Sequence, residues 1–424
     1  MTRGFIALAM RLSVALAMLT VACNGGGEAL RTATPEASPS ATATPEATVT
    51  PTAAEYPPKV SLTERGVYLI RPDGTDLRHM TRGEGGLYGF RWSPDGSRIA
   101  VVTSACSSPR VSVIDVDGGG AVEVAAFDGS AGGQEWIVWG LEWSPDGRQL
   151  AVPARRYEES EPYHTFLVNA DGSGEPVEAF EGFVLDWSPD GESLAFSTHS
   201  ESGATLSIFD MITDTATVID KGRSFGYFDW SPDSERMAYS LYSTDAGPEQ
   251  LVVIGRDGGN RRVIAGEGSL PAWSPDGKYL AFSLGRGPGA SIAVAPGDGG
   301  QEYLRLAPGD VFRWSPRADA IAVSHAGDWG SSLKLLDVAT HETVDLASDV
   351  VPGSSLSFSP DGRRLIFNGS EPGEGGYDAL FVVNSDGTGL QNLARPSTAI
   401  GWGVEWSPDG RYIAFVDTII TSCV

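Results

Sequence analysis

One short phrase returns eight times along this chain. Trp-Ser-Pro-Asp-Gly, or a near variant, occupies Trp92–Gly96, Trp143–Gly147, Trp187–Gly191, Trp230–Ser234, Trp273–Gly277, Trp314–Ala318, Phe358–Gly362 and Trp406–Gly410. The serines stand 51, 44, 43, 43, 41, 44 and 48 residues apart. A unit of that size cannot bury its own apolar face, so copies must stack on one another. Ser-Pro-Asp-Gly suits a type I turn, with Pro presetting φ at the second position and Gly at the fourth. The Trp ends one strand. After the turn an apolar strand begins, in which large residues such as Leu194 and Phe196 flank a small one, Ala195. Both faces of that strand are apolar, as expected of a sheet covered on each side.

Each unit carries a second hairpin, in which Asp-Gly joins two further strands, as at Asp117-Gly118, Asp171-Gly172, Asp257-Gly258 and Asp386-Gly387. Four strands per 44 residues is the period of a propeller blade. Gly66–Thr81 is such a hairpin without a preceding motif, and Gly403–Val416 is a motif without a following hairpin. The two halves complement each other. The spacing therefore predicts an all-β, eight-bladed β-propeller over residues 59–424, with one blade built from both ends of the chain. The 53 Gly and 27 Pro fit many tight turns, and no long window holds a 3.6-residue apolar period.

The N-terminus reads differently. Arg3 and Arg11 precede an uncharged, mostly apolar run from Leu12 to Ala22, too short for a stable membrane span and suited to a signal peptide, residues 1–22. Residues 23–58 are dominated by Gly, Ala, Thr, Pro, Ser and Glu, a composition that reads as a disordered, semi-extended tether.

Two resemblances rest on these residues. Leu19-Thr20-Val21-Ala22-Cys23 resembles the lipobox of bacterial lipoproteins, although Thr20 stands where that family usually has Leu. The resemblance implies cleavage before Cys23, its lipidation, and an extracytoplasmic body anchored to the cell envelope. Plain secretion and an uncleaved anchor are the alternatives. The repeats over roughly residues 60–420 resemble the PD40, or WD40-like, repeats of TolB and of the propeller domains of prolyl-peptidase-type enzymes. The extra N-terminal α/β domain and six-bladed count of TolB have no counterpart here, so its partners are not implied.

Chemistry is sparse. Gly222-Arg223-Ser224-Phe225-Gly226 matches the nucleophile pattern Gly-x-Ser-x-Gly but lies between a blade's last strand and the next motif, without a helix signal. His79, His164, His199, His325 and His341 are scattered without metal-ligand spacing, and Asp115–Gly118 lacks the later acidic ligand of a calcium loop. No metal or cofactor is expected. The motif aspartates repeat with the turn and read as scaffold. Cys106 and Cys423 follow equivalent strands of neighbouring blades, and outside the cytoplasm a disulfide would staple the ring there.

The chain carries a formal charge of −25, of which residues 1–56 contribute −1 (three Arg against four Glu) and the remainder −24. So acidic a body excludes a nucleic-acid backbone as ligand. Binding residues are expected on loops and at the channel mouth. The aromatics four residues ahead of the motif Trp, Tyr88, Trp139, Phe183 and Trp402, with Trp136 nearby, stand there as ligand-stacking candidates or as packing between blades. The long polar insertions Pro153–His164 and Asn368–Asp378 belong to the same face. The reading is a non-enzymatic binding module for a protein, peptide or envelope polysaccharide. Alternatives are a propeller enzyme acting on sugars, as lyase or hydrolase, and a structural subunit of an envelope complex.

Overall fold

In the computed structural model the described residues are 66–81, 86–105, 108–128, 136–156, 161–242, 249–285, 289–300, 302–309, 311–327, 330–347, 350–371, 379–395 and 400–417. Residues 1–58, read above as signal peptide and tether, lie outside this set with Cys23, as do Cys106 and Cys423. Eight antiparallel sheets, one per motif, are numbered here as blades 1–8 in motif order. Blade 3 shows the plan: Phe183–Trp187 is innermost, followed outward by Ser193–Ser200, Gly203–Asp210 and Thr215–Gly222. In blade 2 the innermost strand is split into Trp136–Val138 and Glu142–Trp143, both paired with Gln149–Arg156. Blade 8 takes its inner strands, Ile400–Trp406 and Ile413–Asp417, from the C-terminal region. Its outer pair, Gly66–Ile70 and Arg78–His79, comes from the N-terminal region. The expected shared blade is thus present, with Gly66–Ile70 in register against Ile413–Asp417.

The motif turn has the predicted chemistry. In blade 1, Gly96 N donates to Ser93 O at 2.9 Å, closing the turn, and Ser93 Oγ donates to Asp95 Oδ1 at 2.7 Å. Asp95 Oδ1 also accepts Ser97 N, while Ser93 Oγ accepts Arg98 N. The same set recurs around Asp146, Asp276, Asp361 and Asp409. The Ser93 hydroxyl and Ser97 amide bring the Asp95 carboxyl down to about 2. Blade 6 departs: Arg317 replaces the Asp, and Ala318 takes the left-handed conformation, φ 62°, that Ser234 takes in blade 4 and Gly supplies in the other six.

Blades are latched by a second device. In four blades the residue six after the motif aromatic reaches the aromatic of the next blade. Arg98 lies over Trp143 at 5.1 Å, Arg236 over Trp273 at 5.0 Å and Arg364 over Trp406 at 4.9 Å, and Tyr279 stacks on Trp314. Blade 3 has Ser193 at this position. There Arg256 of blade 4 fills the gap, donating to Ser193 Oγ at 2.7 Å and Asp190 Oδ2 at 2.6 Å. The ring closes where Tyr412, Ala414 and Val416 of blade 8 share a core with Phe90, Trp92, Ile99 and Val101 of blade 1. Second strands are buried on both faces, as Ile99–Val102 illustrates.

Candidate functional site

The eight innermost strands line a central channel, and the residue just before each motif aromatic forms a belt around it. In blade order these are Arg91, Glu142, Asp186, Asp229, Ala272, Arg313, Ser357 and Glu405. Strand alternation separates them from their buried chain neighbours, such as Phe90, Trp92, Leu141, Trp143, Val404 and Trp406. The belt residues themselves are half-buried, and Arg313 is exposed. Register breaks in the inner strands precede the belt in most blades, between Leu87 and Gly89, Val184 and Asp186, Phe225 and Phe228, and Ile400 and Val404. Such bulges re-aim side chains.

Belt groups reach toward the next blade. Arg91 Nη2 donates to Glu142 Oε1 at 3.3 Å, Trp273 N donates to Asp229 Oδ2 at 2.7 Å, and Trp406 N donates to Ser357 Oγ at 3.2 Å. Belt carbonyls serve the same joints: the indole N–H groups of Trp143, Trp187 and Trp314 donate to Arg91 O, Glu142 O and Ala272 O. Glu405 lies within electrostatic range of Arg91, Arg313 and Glu142, three groups from three other blades. Burial among protein atoms pushes its carboxyl up, Arg91 and Arg313 oppose that, and Glu142 adds to it. A channel ringed by charges of both signs, two Arg against four carboxylates, is therefore the strongest polar feature of the inner wall. The motif scan passed over it because its signal is a single position whose identity changes from copy to copy.

The aromatic candidates divide. All four stand at or beside the inner strands on the side opposite the motif turns, as the spacing predicts. Trp139 is 39% exposed. Phe183 is buried, with Tyr163 edge-on at 5.1 Å, so its ring packs rather than facing the mouth. The side chains of Tyr88 and Trp402 lie outside the described residues. Trp136 is part of a cluster with Phe127 and Phe166, with Arg156 above its ring at 5.3 Å. Of the two insertions, residues 157–160 and 372–378 are outside the description. Arg155 covers Tyr163 beside the first, and Arg395 pairs with Glu371 at 3.0 Å beside the second.

Ser224 begins an inner strand directly after the strand ending at Gly222, with no helix following it. His79 stacks on Tyr68, and His164 Nδ1 lies 2.8 Å from Glu178. Among the described residues no group of three His, Cys, Asp or Glu is placed to hold a metal ion. None of their helices is long and apolar enough to cross a membrane.

With this geometry in hand, comparison with known proteins is informative about architecture. The C-terminal WD40 domain of Sif2 matches with a TM-score of 0.54 and 14% identity, covering 80% of this chain and 98% of that one. The chain is a β-propeller. A prolyl endopeptidase structure matches with a TM-score of 0.54 and 11% identity over 73% of this chain and 50% of that one. TolB from Acinetobacter baumannii aligns at 16% identity, covering 75% of this chain and 79% of that one, with a TM-score of 0.38. No family model matches the sequence. A curated relative, the uncharacterized peptidase YuxL of Bacillus subtilis, is 28% identical over 149 residues, 34% of this chain. The match spans about a fifth (21%) of that relative's length.

Proposed function

We propose that this propeller is a lipid-anchored, extracytoplasmic binding module that takes a protein or peptide partner at its central channel. The observation that carries the reading is the mixed-charge belt, held rigid by the blade-to-blade hydrogen bonds that its own members make. A fixed array of charges on a closed frame pre-organises recognition and fixes the orientation of a partner. Trp139, exposed on the opposite side of the channel from the motif turns, adds an amphipathic ring of the kind enriched at binding surfaces. The lipobox-like Leu19–Cys23 and the tether that follows support placement at a membrane surface. The sugar-acting alternative calls for His, Arg, Gln and acidic groups clustered over the channel, and the belt supplies Arg and carboxylates without His or Gln.

The test is affinity purification of the full chain from detergent-solubilised membranes, comparing wild type with Trp139→Ala. A partner that co-purifies with wild type and is lost from the variant, at an unchanged thermal midpoint, supports the reading. A partner retained equally by both, or none with either, refutes it. Separately, radiolabelled palmitate should enter wild type and not Cys23→Ser.

A further inference from the structure

The belt also carries information about the partner's chemistry, and this inference rests on the channel reading. Most of its polar members are already committed. Asp229 and Ser357 accept the backbone N–H of the next blade's Trp, and Arg91 pairs with Glu142. Arg91 and Arg313 also donate to the carbonyls of Phe90 and Phe312. Glu405 differs. Among the described residues its carboxylate makes no hydrogen bond and no ion pair, and it senses only the fields of Arg91, Arg313 and Glu142. Half-buried and without a protein donor among the described residues, this carboxylate would be completed by a donor brought in from the channel.

We propose that Glu405 accepts the ammonium or guanidinium group of a lysine or arginine side chain on a peptide partner that enters the channel. Charge favours a cation over a neutral donor. When all are ionised, Glu142, Asp186, Asp229 and Glu405 outnumber Arg91 and Arg313, and the surrounding body carries −24. Such a field draws cationic groups in and repels an anionic polysaccharide. A charge-assisted hydrogen bond to the carboxylate then holds the cation.

The experiment titrates the full chain in detergent with blocked trilysine and triglutamate peptides, for wild type, Glu405→Gln and Glu201→Gln. Gln keeps the size of Glu405, and the thermal midpoint measured alongside tells a loss of fold from a loss of binding. Glu201, exposed on the surface, controls for general screening. Trilysine should bind wild type and Glu201→Gln alike and bind Glu405→Gln at least ten-fold more weakly, with triglutamate showing no binding. Equal trilysine affinity for wild type and Glu405→Gln overturns the proposal, as does triglutamate binding as well as trilysine, or no binding of either. If both peptides fail while the membrane purification still yields a Trp139-dependent partner, the cation assignment alone is wrong. If that partner is also missing, the channel reading falls with it.

Discussion

Arg364 offers a clean measurement of what joins one blade to the next. Its guanidinium lies 4.9 Å from the centre of the Trp406 ring, and beyond that stacking it feels only the field of the exposed Asp361 carboxylate in its own turn. It spans the joint between blades 7 and 8, where the chain's own ends are gathered. A half-buried cation–π contact contributes about 1 kcal/mol. Loss of the aliphatic stem's packing brings Arg364→Ala to roughly 1.5 kcal/mol. A body of about 360 residues has an unfolding entropy near 0.75 kcal/mol/K, from about 2.1 cal/mol/K per residue, so the thermal midpoint should fall by about 2 °C. Arg364→Met retains most of the stem and should recover about a third of the loss. Arg363→Ala, one residue earlier and exposed, should change the midpoint by less than about 0.5 °C. Scanning calorimetry of the three variants measures all of this. If Arg364→Ala and Arg363→Ala are indistinguishable, or if Met substitutes fully for Arg, the latch is not electrostatic and the reasoning fails.

Three further expectations follow from the same geometry. Gly96 has φ 71°, and a Cβ there would meet Asp409 N and Cγ of blade 8 at 3.0 Å, whereas at Gly147, φ 68°, the nearest atom is Pro94 Cδ at 3.6 Å. Gly96→Ala should therefore cost about 1–2 kcal/mol in urea unfolding and Gly147→Ala about half as much; equal costs would deny the seam contact. The motif carboxyls are lowered, with Asp95 and Asp276 at about 2, so their stabilising effect is complete above pH 4 and is lost as pH falls toward 2. Urea midpoints should drop between pH 4 and pH 2.5, less steeply in Asp95→Asn, and a flat profile would contradict the turn chemistry. Cys106 and Cys423 follow strands ending at Ala105 and Asp417 in adjacent blades, and we propose that they are bonded. Thiol titration of denatured, unreduced protein should find neither free, and two free thiols would reject the staple.

The architecture was legible because its signal is repeated and local. Ser-Pro-Asp-Gly dictates its own turn, so eight copies mark eight inner hairpins without any knowledge of distant contacts. The shared blade was legible for a related reason: Gly66–Thr81 and Gly403–Val416 are each half of a unit whose whole form appears seven times. The belt was not legible in the same way. Arg91, Glu142, Asp186 and Glu405 share a position but not a chemistry, and only the closed ring brings them to one channel. Phe183 shows the opposite limit. Its spacing from the motif matches that of Trp139, yet Tyr163, a residue of the insertion, covers its ring. Arg256 could not be paired with Ser193 from sequence either, because it belongs to the next blade and reaches Ser193 and Asp190 only across the packed joint.

The central claim is that the partner engages the channel rather than the rim. Photo-cross-linking in intact cells tests it most directly, with a photoreactive residue placed at Trp139 or, for comparison, at Val218 on the outermost strand of blade 3, where the side chain is 52% exposed. A discrete cross-linked product from position 139 and none from position 218 is the result this account expects. A product from position 218 alone would contradict it.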